Sequence, residues 1–352
     1  VGGNGEITQQ RASYVELSDG LNYRDETGTW QRTRPEFIPT PRGFSAPFGP
    51  HKVDLAHNLN AVGAVEYTAG DITLRSAPLA LAYFDPVSGE SMILAGLQDA
   101  LAQQVASNVV VYPDSFRELH ASVRYIYEVG SFHQDVILHE APPSPQAFGL
   151  SDRSRLEVIT EFGPDTPEPE RFTRFIRVEE NPAIRRSMVE PDFTDHLLVF
   201  GQEIRMLIGR AFALDEEPND GAGGELGTEI PVGKEFQRID GRSLLIEGVE
   251  YQAIAPFLED LPPATADLGN ATRNGESLAS SRRLVPARIA SLDRGQELAR
   301  REPSQRGFVL DYVTKTGGAT DFQFLSKGTY YISSGFGVSG YSIAFGEGAV
   351  IK

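Results

Sequence analysis

Residues Phe308 to Lys352 constrain the fold more than any other part of the chain. Short β-rich runs (Tyr330–Ser333, Tyr341–Phe345, Ala349–Ile351) alternate there with Gly/Ser turns, and no helical period separates them. That rhythm is the one expected of the opening coils of a parallel β-solenoid. A solenoid coil cannot bury its apolar face alone; it needs stacked neighbours or a cap. The chain opens at Val1 and stops while the coils are beginning. The reading therefore expects a part of a longer protein, or a subunit whose open edge is covered by another copy of itself.

Upstream, the signals are also β. The first 13 residues are polar and Gly-rich and read as a flexible arm. Residues 14–141 read as a β-sandwich-like domain, with Pro, Gly and Asn punctuating short apolar runs. The strand candidates are Lys52–Ala56, Gly63–Thr68, Leu79–Phe84, Ser91–Ala95 and Val109–Tyr112, with turns at Gly70-Asp71 and Pro86–Gly89. Gly96 to Ser107 has the composition of a short helix. Pro142, Pro143 and Pro145 mark a boundary, and residues 142–261 read as a second β-rich domain. Its pieces are strands at Leu156–Phe162 and Phe172–Val178, a short helix at Asn181–Met188 and a hairpin around Gly201. A type I′ hairpin at Asp240-Gly241 and a closing helix at Tyr251–Leu261 complete it. Residues 262–307 read as a linker and residues 308–352 as the start of the solenoid. The fold class is all-β.

One hairpin is explicit enough for a register. In Leu119–Glu140, a two-residue turn at Gly130-Ser131 pairs Val129 with Phe132 and sets Tyr127, Tyr125 and Val123 opposite Gln134, Val136 and Leu138. That face is mostly apolar and belongs in the core; a one-residue slip would exchange the faces. The other face carries Arg124, Glu128, His133, Asp135 and His139.

Charge and composition exclude several classes. Acidic residues outnumber basic ones 49 to 32, for a net charge of −17, which repels nucleic acid and anionic lipid. There is no cysteine, so disulfides, thiol nucleophiles and zinc-thiolate sites are excluded. A cysteine-free chain fits a bacterial extracellular protein and equally a cytosolic one. No apolar run approaches the ~18 residues of a membrane-spanning helix. Phosphate-cradling, nucleophile-elbow and zinc-protease motifs are missing, and no catalytic residue is assigned.

Three features have the residue types of a binding site. Glu128, His133 and Asp135 share one β face, where imidazole and carboxylate together suit a divalent transition metal. His139 cannot join them, because six residues of strand span about 20 Å. The everyday alternative is a solvated mixed-charge face in which Arg124 pairs with Asp135. The loop Asp215–Glu229 is acidic and Gly-rich, and Asp215, Glu217, Asn219 and Asp220 supply oxygen ligands for calcium. The EF-hand spacing is not met, because Asp220 stands where glycine is required, and a plain acidic surface loop is the alternative. Trp30, with Tyr23, Phe44 and Phe48 nearby, is a candidate for stacking on a sugar, against a place in the sandwich core. No cofactor is expected, with calcium at the Asp215–Glu229 loop as the alternative.

With those residues laid out, the chain resembles the N-terminal portion of very large secreted bacterial multidomain proteins that carry right-handed β-helix or Rhs-type repeats downstream. The resembling stretches are Gly20–Trp30, Val110–Phe116, Ser131–Leu138, Glu247–Tyr251 and Phe345–Lys352. The resemblance implies export and a cell-surface or extracellular setting, and it brings no catalytic residue. The expectation is a non-catalytic structural or adhesion module that self-assembles through an open β edge. The alternative is an accessory carbohydrate-binding part of a polysaccharide-processing β-helix enzyme, with extracellular polysaccharide as partner.

Overall fold

A computed structural model describes residues 22–176, 193–201, 204–214, 230–264 and 307–316, and the strand segments 322–324, 329–330, 343–345 and 350–351. Among the described residues the fold is all-β, with one short α-helix and a 3-10 turn at Pro145–Phe148. In chain order the strands are β1 (Asn22–Arg24), β2 (Trp30–Arg32), β3 (Ile38–Thr40), β4 (Gly43–Ala46), β5 (His51–Ala56) and β6 (Val65–Ala69). Then come β7 (Ile72–Phe84), β8 (Ser91–Gly96), β9 (Gln103–Ala106), β10 (Val109–Tyr112), β11 (Ala121–Tyr127) and β12 (Ser131–Leu138). The second half holds β13 (Arg155–Phe162), β14 (Glu170–Ile176), β15 (Phe193–Phe200), β16 (Ile204–Met206), β17 (Gly209–Leu214), β18 (Ile230–Ile239) and β19 (Arg242–Glu250). After helix α1 (Tyr251–Leu258) follow β20 (Gly307–Thr316), β21 (Phe322–Phe324), β22 (Thr329–Tyr330), β23 (Ile343–Phe345) and β24 (Val350–Ile351).

Strands β3 to β20 close into an antiparallel barrel. Two halves face each other in sandwich fashion and are joined where β17 pairs with β18. In one half β7 runs against β13, and β13 against β19. In the other, β10, β11, β12 and β20 lie side by side. Rings from the two halves meet across the interior: Tyr67 lies 5.8 Å from Phe132, and His51 4.5 Å from Tyr127. Residues of both expected domains, among them Leu81, Tyr125, Val158 and Phe236, belong to one buried cluster. The two β units are therefore one core, and the proline segment between them is packed: the Pro143 carbonyl accepts a 3.0 Å hydrogen bond from the Tyr83 hydroxyl. Pro78 sits where β7 passes from β6 to β8, beside a shift of the β13 register between Ile159 and Thr160. A proline without an N–H is tolerated at such an irregularity.

Several expectations hold. Ile239 pairs with Arg242 around Asp240 and Gly241, both at positive φ as a type I′ turn requires. Helix α1 forms where the closing helix was placed, although it ends at Leu258. Others are corrected. The β11–β12 register is displaced by two residues: Tyr127 pairs with Phe132 and Arg124 with Asp135, so the turn is Val129-Gly130. A shift of two keeps every side chain on its expected face. It also sets Arg124 directly opposite Asp135 and stacks Phe132 on Tyr125 at 5.4 Å. No helix forms across Gly96–Ser107; β8 ends at Gly96 and β9 begins at Gln103. Between them Asp99 accepts hydrogen bonds from the Asn58 and Asn60 amides, a tertiary contact that overrides helix propensity. Trp30 is not in the core but exposed on β2.

The largest difference concerns β20. The sequence reading gives its residues to the solenoid, yet Phe308, Val309, Leu310 and Asp311 are buried in the barrel. One edge of β20 pairs with β12 from Phe308 to Lys315, and the other with β17 and then β16. Beyond it the pairing changes to parallel: β21 with β23, and β22 with β24. Both parallel pairs have the same offset of 21 residues, from 322 to 343 and from 329 to 350. The expected Asn181–Met188 helix and most of the linker lie outside the described residues.

Candidate functional site

The outward face of the half built on β12 carries a ladder of charge across four strands. The pairings place Arg124 of β11 opposite Asp135 of β12, Asp135 opposite Asp311 of β20, and Asp311 opposite Arg210 of β17. Two carboxylates thus stand face to face between two guanidiniums. Like charges directly opposite on paired strands repel, so the flanking cations are required for the arrangement to exist. Both aspartates are buried, each 1 % exposed. Ile137, Phe212 and Val309 pack together on the same face one step further along the strands.

The partners are unequally shared. Asp311 has one donor on each oxygen: His133 Nδ1 at 2.9 Å on Oδ1 and Arg210 Nε at 2.8 Å on Oδ2. Asp135 takes Arg124 on Oδ2 at 2.6 Å, while its buried Oδ1 has no hydrogen-bond partner. His133 Nε2 lies 3.3 Å from the Glu128 carboxylate, which also accepts from the Ser131 hydroxyl at 2.7 Å.

The protonation states follow from this inequality. Burial pushes the Asp135 carboxyl up to about 6; Arg124 opposes that and Asp311 adds to it. Burial would also raise Asp311, but the charge and hydrogen bond of His133, then those of Arg210, hold it at about 2. Burial alone would lower His133; the Asp311 carboxylate and then Glu128 reverse the sign and hold the imidazole at about 10. His133 is therefore a cation at neutral pH, and both ring nitrogens donate.

The three residues singled out as metal ligands are accordingly near one another but differently engaged. Glu128 and His133 meet, whereas Asp135 turns to Arg124. An imidazolium with both nitrogens donating has no lone pair for a metal. Among the described residues no group of three or more His, Asp or Glu side chains is arranged to hold an ion. The candidate calcium ligands Asp215, Glu217, Asn219 and Asp220 lie outside the described residues.

A second polar centre lies inside the barrel. Lys234 of β18 pairs with Glu247 of β19, and both point into the core and are buried. Glu247 lines a cavity of about 50 Å³ with Gln134, Thr160, Tyr67 and Phe162. Its Oε2 has no hydrogen-bond partner, and burial pushes its carboxyl up to about 8, with Lys234 opposing.

Sequence reasoning missed Asp311, Arg210 and the Lys234–Glu247 pair. The signal for Asp311 is its place in the otherwise apolar run Phe308–Val313; the signal for Glu247 is its core-facing position between Leu245 and Val249.

The β1–β2 hairpin forms a third locale. Arg24 pairs with Trp30 and Asn22 with Arg32, which places all four on one face. The Arg24 guanidinium lies 4.9 Å from the Trp30 ring centre. Asp25 organises the turn, accepting from the Thr27 and Thr29 amides, the Thr27 hydroxyl and the Gln31 side chain. Lys52 reaches Glu26 at 3.3 Å and ties the hairpin to β5.

No family model, curated protein or solved structure matches the chain.

Proposed function

We propose that the chain is a non-catalytic structural and adhesion module of an exported bacterial surface protein, in which the barrel anchors the first coils of a parallel β-solenoid. The observation that carries this reading is the equal 21-residue offset of the two parallel strand pairs directly after β20. A constant offset in parallel pairing is what stacked coils of one length produce. The antiparallel barrel before it has a different plan, so the junction at β20 is where one architecture hands over to the other. The ladder supports an anchoring role: it holds β20 through Asp311 from both sides, and a buried charge pair specifies which strand lies beside which.

Among the described residues β23 and β24 each pair on one edge. A strand edge of that kind is a template for a further coil or for a second copy of the chain. Sedimentation across a wide concentration range tests the reading, with Ile343→Pro as the companion variant. Proline removes a ladder donor from β23. The expected result is concentration-dependent association that Ile343→Pro abolishes while the far-UV spectrum of the barrel stays unchanged. A strict monomer at every concentration, or association indifferent to the substitution, refutes self-assembly.

The alternative, an accessory carbohydrate-binding part of a polysaccharide-processing enzyme, has one observation of its own: Trp30 is 63 % exposed.

A further inference from the structure

We infer that the exposed face of the β1–β2 hairpin, formed by Asn22, Arg24, Trp30 and Arg32, is a binding site for an anionic polysaccharide of the uronic-acid class. The inference rests on the carbohydrate-binding reading and narrows it to a charge class.

The face has the components such a ligand needs. Trp30 is 63 % exposed with Arg24 over one face of its ring, which leaves the other face for the C–H side of a sugar ring to lie on. Strand alternation sends Tyr23 and Gln31 to the opposite face of the hairpin. Tyr23 is half-buried, whereas Asn22, Arg24, Trp30 and Arg32 are all exposed, so the Trp30 face is the outward one. Arg24 and Arg32 flank the ring, and all four side chains of the face are exposed.

Charge selects the ligand class. The net charge of −17 opposes any polyanion at long range, so the selection is local to this face: several cations elsewhere are committed, Arg34 to Glu36, Lys52 to Glu26, Arg75 to Glu66 and Asp165. Among the described residues neither Arg24 nor Arg32 makes an ion pair, although Glu26 and Asp25 are near in sequence. Arg24 lies over one face of the single tryptophan at 4.9 Å, and since neither guanidinium is paired with a carboxylate among the described residues, Arg24 and Arg32 can offer planar donors to a ligand's carboxylates while Asn22 can bond hydroxyls. A neutral glycan would leave the charge of both arginines unmatched. The turn is held by four bonds to Asp25, so little ordering is left for the ligand to impose.

The test uses the full chain and its single tryptophan, whose emission reports on this hairpin alone. Polygalacturonate is titrated in parallel with dextran, and binding is followed by Trp30 fluorescence and by calorimetry. The expected result is saturable binding of polygalacturonate with a change in emission, weakening as salt is raised, and no response to dextran. The double variant Arg24→Ala/Arg32→Ala, and separately Trp30→Ala read by calorimetry, each weaken binding by roughly tenfold or more, equivalent to about 1.4 kcal/mol. Both change exposed positions, and an unaltered far-UV spectrum confirms the fold. Equal binding of dextran and polygalacturonate overturns the anionic assignment and leaves the carbohydrate reading standing. Binding of neither overturns both. Binding of polygalacturonate that the variants leave unchanged places the ligand elsewhere and also overturns the inference.

Discussion

Substituting Asp311→Asn and, separately, Asp135→Asn makes the same chemical change at two positions that face each other across β12 and β20. The structure predicts different outcomes. Asp311 loses two charge-assisted hydrogen bonds, from His133 at 2.9 Å and Arg210 at 2.8 Å. Each is worth about 1.5–3 kcal/mol, and removing one member of a buried ionic network costs about 3–5 kcal/mol in all. Arg210 is 37 % exposed at its side chain and recovers some hydration, so the lower end, about 3 kcal/mol, is expected. Asp135 loses one such bond, to Arg124, but its ionised form is held against burial and against Asp311. Raising its carboxyl from 3.8 to about 6 means that keeping it charged at pH 7 costs on the order of 3 kcal/mol. Asparagine removes that cost, and its amide can donate towards Asp311, so Asp135→Asn should be neutral within about 1 kcal/mol or stabilising. Urea unfolding at pH 7, followed by far-UV circular dichroism because Trp30 is exposed and a poor reporter of the core, measures both variants. Equal losses, or a larger loss for Asp135→Asn, would refute the argument that the pair is held together by the surroundings of Asp311.

Three further outcomes follow from other sites. The Glu247 carboxyl, raised from 4.5 to about 8, favours the folded state fully below pH 4.5; that contribution is lost as pH rises through 8. Stability should therefore fall by several kcal/mol, on the order of 3–5, between those limits, and Glu247→Gln should flatten this part of a urea-midpoint profile. The ladder has opposite signs at its two ends. Asp311, depressed to about 2, contributes stability that disappears as pH falls below 3.8 towards 2, whereas His133, raised to about 10, contributes stability that disappears as pH rises through 10. A His133 ring signal in a proton NMR titration that moves near pH 6.5 would contradict the second half. Gly307→Ala should destabilise by about 2 kcal/mol or more in thermal melts, because the added Cβ would fall 2.5 Å from Ile137 Cγ2 and 2.6 Å from the Leu138 carbonyl oxygen, where β20 docks on β12.

Local signals were legible where the physics is local. The strands expected at Lys52–Ala56, Ser91–Ala95, Val109–Tyr112 and Leu156–Phe162 form within one residue of those bounds, and Asp240-Gly241 turns as its backbone preferences require. The faces of β11 and β12 were readable although the register was two residues off, because a shift of two changes partners and not sides. What separates the two registers is the meeting of Arg124 with Asp135 and of Phe132 with Tyr125, which apolar patterning alone does not rank. The ladder was half legible. Arg124, His133 and Asp135 announce a charged face, but Asp311 is 178 residues from His133, and no local pattern brings β20 to that edge. For the same reason β20 read as the first piece of the coil: a buried strand at the centre of a sheet and a coil strand share the same short apolar run. Trp30 was misplaced by size and hydrophobicity, which favour a core position on average and say nothing about a two-stranded hairpin outside the barrel.

The position of β20 also determines how the molecule bears load. The strand has neighbours along both edges, β12 on one side and β17 with β16 on the other, and its C-terminal end precedes the parallel strands β21 to β24 in the chain. A pull applied to the chain beyond Thr316 acts along β20. The inter-strand hydrogen bonds then resist in shear, sharing the force, instead of opening one after another as in an unzipped hairpin. Sliding β20 by one residue would also turn Asp311 away from His133 and Arg210 and drive it towards the apolar interior, while Leu310 would leave the core. The strand thus behaves as a keyed shaft between two sleeves, and the force needed to draw it out should depend more on Asp311 than on any apolar residue of comparable burial.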